Sequence, residues 1–205
     1  MAGSRIEAVV FDLGNVLIPW NPRFLYRKLF GGDEAKMDWF LANVCTFAWN
    51  ETFDSGRSFA EGVSELIAQF PQYADMIRAY DSRWEEMLGD PIEENVALLQ
   101  DLKRAGHPVY ALSNWPAGKF QIARRRCPFL SLFDGMVISG EVGFKKPSPE
   151  IFQLLLSKHK LDPGRCVFID DTSGHVAAAR SLGLNGIVYQ SPVQLRQDLG
   201  RLGLP

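Results

Sequence analysis

Five short stretches of the chain are apolar almost throughout: Glu7–Phe11, Pro108–Ser113, Gly135–Ser139, Arg165–Asp170 and Asn185–Gln190. None alternates strictly, which suits strands covered on both faces. Helical periodicity fills the spaces between the later ones. Residues 91–106 (PIEENVALLQDLKRAG) carry apolar side chains at 92, 96, 98, 99 and 102 and stop at Gly106. Residues 148–161 lead into the fourth strand, and residues 174–183, ended by Gly183, lead into the fifth. Strands alternating with helices predict an α/β fold: a Rossmann-like parallel sheet with helices on both faces.

The rhythm breaks once. Roughly 90 residues separate the first strand from the second, and no strand pattern runs through them. A single crossover helix needs far less chain. Helical candidates lie at Arg23–Phe30, Met37–Trp49, Ser58–Phe70 and Tyr73–Leu88. The expectation is an inserted α-helical cap over 18–91, flanked by Pro19 and Pro22 on one side and Gly89 and Pro91 on the other. Residues 1–17 and 92–205 then form the core. Trp20, Trp39, Trp49 and Trp84 fall in the insertion. Most are expected to fill the bundle, with one or two left to wall a substrate pocket.

Composition narrows the function classes. A chain of 205 residues fits one domain carrying a smaller insertion. A net charge of -2 gives no reason to expect a nucleic-acid surface. No apolar run approaches the ~20 residues that span a bilayer. Glu7 and Asp12 interrupt the N-terminal apolar stretch, so neither a signal peptide nor a membrane partner is expected. Cys45, Cys127 and Cys166 are odd in number and form no C-x-x-C, which fits unpaired thiols in a cytoplasmic protein. Cys166, in the run CVFI, reads as a small buried hydrophobe. The oligomeric expectation is a monomer or homodimer.

Chemistry collects at the strand ends, where open parallel sheets hold their ligands. The first strand ends in Asp12, the second in Ser113 and Asn114, and the fourth in Asp170 and Asp171. Lys145 and Lys146 precede a helix that begins at Pro149. Three carboxylates in one crevice repel each other, and a divalent cation relieves that conflict. An all-oxygen site with room for water and phosphate suits Mg²⁺. With a lysine and a hydroxyl beside it, the set is what phosphoryl transfer requires.

Four stretches in this order, FDLGNVL, LSN, KKPSPEIF and FIDD, resemble the motifs of the haloacid dehalogenase superfamily, in its phosphatase-type branch with a helical cap. The resemblance covers nearly the whole chain. It implies that Asp12 is a nucleophile forming an aspartyl-phosphate and also a Mg²⁺ ligand. Ser113 and Lys146 would bind the phosphoryl group of a small phosphorylated substrate. Asp170, Asp171 and the carbonyl of Gly14 would complete the metal site. Lys145 would be a solvated neighbour. Asn114 would contact substrate or hold its loop.

One position departs from that pattern. Most phosphatases of the superfamily carry a second Asp two residues after the nucleophile, as acid and base. This chain has Gly14, expected to let the backbone turn sharply. Three readings follow. The first is a phosphatase with an undemanding leaving group, such as a sugar phosphate, helped by a cap carboxylate such as Asp54 or Glu51. The second is a 2-haloacid dehalogenase, which the Asp170–Asp171 pair opposes. The third is a binding or regulatory module without turnover. Other residues have plainer expectations. His175 reads as a polar first-turn residue that could assist water, and Trp115 as a turn residue or crevice wall. His107 reads as loop and His159 as a solvated helix end. Arg124–Arg126 read as a solvated helix face, and Ser148 as a helix cap.

Overall fold

The computed structural model describes residues 5–205. Five strands, β1 (Ala8–Phe11), β2 (Val109–Ser113), β3 (Gly135–Ile138), β4 (Cys166–Asp170) and β5 (Asn185–Val188), form one parallel sheet in the order β3-β2-β1-β4-β5. The α/β, Rossmann-like expectation holds, and every strand lies within its apolar run. Alternate residues of β1 enter different cores. Val9 and Phe11 join the larger cluster, whereas Ala8 and Val10 join the smaller one with Ile151, Phe152 and Leu155. Burial on both faces explains the missing alternation.

Helices α1 (Arg23–Leu29), α2 (Glu34–Asn43), α3 (Phe47–Glu51), α4 (Phe59–Gln69) and α5 (Ala74–Ser82) all fall between β1 and β2. The inserted segment is tied at its base. Trp20 and Leu88 form an antiparallel bridge, and the Gly89 N–H donates to the Pro19 carbonyl at 2.8 Å. The single helical stretch expected over Met37–Trp49 is two helices. The chain breaks at Val44, and the Thr46 hydroxyl accepts from the Trp49 N–H at 3.1 Å to start α3. Tyr26, Phe40, Phe53 and Tyr80 fill the bundle, with Trp84 buried beside them. Trp39 is 48% exposed, and Trp49 packs edge-on against Phe53 and Tyr80.

The remaining helices are α6 (Glu93–Arg104), α7 (Ala117–Arg126), α8 (Ser139–Val142), α9 (Pro149–His159), α10 (Ser173–Ser181) and α11 (Pro192–Arg201). No pattern had suggested α11, whose Leu195 and Leu199 complete the larger core. Ser148 precedes α9, but its hydroxyl bonds the Glu150 carboxylate instead of capping a backbone N–H. His159 is not solvated. Its ring packs on Tyr110 at 4.7 Å and over Gly135, where a Cβ would come within 2.1 Å of it. Of the arginine run, Arg126 turns back to the Glu85 carbonyl of the inserted helical segment at 3.1 Å. The three cysteines are free and buried. Among the described residues no helix is long and apolar enough to cross a membrane.

Candidate active site

Register builds the site. Pairing of Phe11 with Ile169 and with Ala111 sets Asp12 level with Asp170 and one residue short of Ser113. Asp12, Asp170 and Ser113 therefore emerge at the same edge of the sheet. The Asp12 N–H still donates to the Ile169 carbonyl at 2.8 Å, which fixes the first carboxylate beside the second.

Asp12 is 7% exposed. Its Oδ1 accepts from the Ser113 hydroxyl at 2.8 Å and the Leu13 N–H at 2.7 Å. Its Oδ2 lies 3.0 Å from Lys146 Nζ. Lys146 is itself buried and reaches Asp170 Oδ2 at 2.6 Å, so one ammonium sits between two carboxylates. Asp170 also accepts from the Thr172 N–H at 2.8 Å and faces His175 Nδ1 at 3.1 Å. A carboxylate acceptor places the proton of that imidazole on Nδ1. Asn114 clamps the lysine's backbone at both ends. It donates to the Lys146 carbonyl at 3.0 Å and accepts from the Lys146 N–H at 2.8 Å, while bordering the pocket.

The electrostatics show a site short of positive charge. Burial pushes the Asp12 carboxyl up to about 6, even though Lys146 pulls it down. Burial and the neighbouring Asp170 also raise Asp171. Burial would raise Asp170 as well, but Lys146 and His175 outweigh it and hold that group below the ordinary carboxylate range. Lys146 stays firmly charged because Asp12 and Asp170 overcome its desolvation. One oxygen each of Asp12, Asp170 and Asp171 lies within 4.8 Å of the others. An all-oxygen set with unbalanced charge fits a hard divalent cation such as Mg²⁺.

A cavity of about 310 Å³ opens from this cluster, bordered by Asp12, Gly14 and Asp171 on the sheet side. Trp20, Phe47 and Trp84 of the inserted segment and Trp115 of the core supply aromatic walls. Trp115 is thus a crevice wall, and Trp20 and Trp84 are the two tryptophans of the insertion that line the pocket. The indole N–H groups of Trp20, Trp84 and Trp115 are buried, and none has a hydrogen-bond partner. Asn50 and Asp54 also line the cavity from the inserted segment. Asn50 was not anticipated. Its side-chain carbonyl accepts from the Tyr80 hydroxyl, 30 residues along the chain, at 2.8 Å.

Two expectations are corrected. Lys145 is not merely a solvated neighbour: partly exposed, it pairs with the Glu51 carboxylate of the inserted helical segment at 3.5 Å. Gly14 does not make the sharp turn. The left-handed residue is Asn15, with φ 54°, a conformation that asparagine tolerates. A Cβ built at Gly14 meets nothing within 4 Å, so glycine is not sterically required there.

Similarity to known proteins agrees with this geometry. The chain is 26% identical over 211 residues to the sesquiterpene phosphatase astK of Aspergillus oryzae, covering 97% of each. It is 34% identical to the bifunctional epoxide hydrolase 2 of Sus scrofa, covering 96% of this chain but 39% of that one. Among solved structures, the HAD family enzyme bt-2542 of Bacteroides thetaiotaomicron, in complex with magnesium and inorganic phosphate, has a TM-score of 0.68 at 23% identity over 90% of this chain and 94% of that one. A predicted HAD-like hydrolase of Porphyromonas gingivalis reaches a TM-score of 0.72 at 24% identity, covering 97% and 99%. Residues 6–183 match the family model for haloacid dehalogenase-like hydrolases, and the chain belongs to that family.

Proposed function

We propose that the chain is a Mg²⁺-dependent phosphatase that hydrolyses a small phosphorylated metabolite through an aspartyl-phosphate on Asp12. The carrying observation is the buried Lys146 ammonium bridging Asp12 and Asp170, with Asp12 itself bordering a cavity of about 310 Å³. Lys146 and the Ser113 hydroxyl hold the Asp12 carboxylate in place, and in this reading both would donate to phosphoryl oxygens. Asp12, Asp170, Asp171 and the Gly14 carbonyl would hold Mg²⁺, which when bound offsets the charge of carboxylates and phosphate. Asn114 keeps the lysine's backbone in register, and the Asp170–His175 contact keeps Asp170 oriented. The sesquiterpene phosphatase relative and the magnesium–phosphate complex of bt-2542 support this reading.

A sugar phosphate fits the polar side of the cavity, where Asn50 and Glu51 can meet hydroxyls. A second substrate reading is the phosphate of an apolar alcohol, favoured by the indole and phenyl walls and by the sesquiterpene phosphatase. Sugar 1-phosphates, sugar 6-phosphates and prenyl monophosphates assayed side by side separate the two. Phosphate release should require Mg²⁺ and fall more than about 10³-fold in Asp12→Asn. Metal-independent halide release from 2-chloropropionate, with no phosphate release, would replace this proposal by a dehalogenase.

A further inference from the structure

Cleaving the phosphate ester of an ordinary alcohol frees an alkoxide, which needs a proton as the P–O bond breaks. On the reading proposed above Asp12 attacks, so the proton must come from elsewhere on the cavity wall. The titratable groups there, besides Asp12, are Glu51, Asp54, Asp171 and His175. Asp171 belongs to the acidic cluster, and His175 has its Nδ1 against Asp170. Glu51 is partly exposed and faces Lys145. Lys146 is locked between two carboxylates. Asp54 differs from all of these. It is 8% exposed, borders the cavity, and no described residue donates a hydrogen bond to its carboxyl.

We infer that Asp54, carried in by the cap, is the general acid and base of the reaction, filling the role for which Gly14 has no side chain. Its position is built rather than incidental. The 3-10 turn Phe53–Ser55 ends at Gly56, in the left-handed region at φ 95°, and packs on α8, with Gly140 O 4.0 Å from where a Gly56 Cβ would stand. Phe53 is fully buried, stacked on Phe59 at 4.1 Å and capped by Trp49 at 4.7 Å. A Cβ at Gly62 would come within 2.5 Å of the Phe53 ring, so the cap has no slack under this turn. Burial holds the Asp54 carboxyl up at about 7, with Lys145 and Lys146 opposing and Glu51 and Asp12 reinforcing the rise. Both protonation states are therefore accessible near neutral pH.

The steps balance. An Asp12 oxygen forms a bond to phosphorus, the bond from phosphorus to the alcohol oxygen breaks, and that oxygen takes the Asp54 proton. Alcohol leaves, and an aspartyl-phosphate faces an Asp54 carboxylate. A water oxygen then bonds to phosphorus and gives its proton to Asp54. The bond from phosphorus to the Asp12 oxygen breaks, releasing phosphate and restoring both carboxyl groups to their starting forms.

The test compares wild type, Asp54→Asn, Asp54→Glu and the double variant Asp54→Asn/Gly14→Asp, with n-butyl phosphate and p-nitrophenyl phosphate. In Asp54→Asn, kcat for n-butyl phosphate should fall about 10²–10⁴-fold. With p-nitrophenyl phosphate, whose leaving group needs no proton, that variant should give a burst of p-nitrophenol and then slow turnover. Acid-quenched protein should carry phosphate on the peptide containing Asp12. Asp54→Glu should keep most of the turnover. Gly14→Asp, for which the structure leaves open space, should restore at least tenfold in the Asn background. A purely structural Asp54 would produce neither trapped phosphoenzyme nor rescue from position 14. Wild-type turnover of both esters by Asp54→Asn, with no trapped phosphoenzyme, overturns the inference. A wild type inert toward every phosphate ester sinks the phosphatase reading itself, and this inference with it.

Discussion

Asp12 and Asp54 are carboxyl groups held where charge is costly, and their titration makes a prediction about stability. Both are raised above the unfolded value, to about 6 and about 7. Between the unfolded and native values the native state binds more protons, so these groups make stability fall as pH rises from about 4 to about 7. Asp170 acts oppositely, because its carboxyl is held low by Lys146 and His175. Asp54→Asn should therefore stabilise the metal-free protein at pH 8, by an amount on the order of 2–4 kcal/mol, and the gain should vanish near pH 4. Chemical denaturation across that range reads it, and a pH-independent difference would contradict the burial argument. Asp12, Ser113 and the Asp170–Asp171 pair stand out in the sequence because each is at or beside a strand end, and Lys146 because it lies just before the helix that begins at Pro149. Asp54 could be named only as a candidate, since nothing in the local sequence brings a 3-10 turn of the cap over the sheet. Lys145 misled for the same reason: its partner, Glu51, is 94 residues away.

At the level of elements, two glycines separate close packing from open space. At Gly140, in α8, a Cβ would stand 2.4 Å from the Ala117 N and 2.8 Å from the Trp115 carbonyl. Those are backbone atoms and cannot rotate away. Gly140→Ala should cost about 1–3 kcal/mol by thermal denaturation and should disturb the Trp115 wall. Gly14→Ala should stay within about 0.5 kcal/mol of wild type, because no atom meets its Cβ. A large loss there would mean that the loop is tighter than it stands. The strands were readable since apolar runs of this length have few other uses, and the helices of the core since they carry both period and stop signals. The break at Val44–Thr46 was not, because apolar residues continue through it and only the Thr46 cap marks the new start. Helix α11 was missed although Ser191 caps it, since its contact with the core rests on few apolar positions, chiefly Leu195 and Leu199.

For the molecule as a whole, the metal site proposed at Asp12, Asp170 and Asp171 makes a prediction about stability. A ligand that binds only the native state adds RT ln(1 + [L]/Kd), about 2.7 kcal/mol at a hundredfold excess over Kd. Mg²⁺ should raise Tm at pH 7.5 and much less at pH 5, where Asp12 takes up a proton in place of the metal's charge. Asp171→Asn should blunt the shift at both values. An equal Mg²⁺ effect in wild type and Asp171→Asn would remove that residue from the metal site. By itself the sequence determined the parallel α/β core, the helical run between β1 and β2, and the acids and serine at the strand ends, because those follow from local periodicity and from the geometry common to parallel sheets. Only the tertiary structure decided which tryptophans wall the cavity, that Lys145 reaches Glu51 in the inserted helical segment, and that Asp54 of that segment borders the same pocket as Asp12. Those outcomes depend on how a bundle seats on a sheet, through contacts between residues far apart in the chain that leave no periodic trace in it.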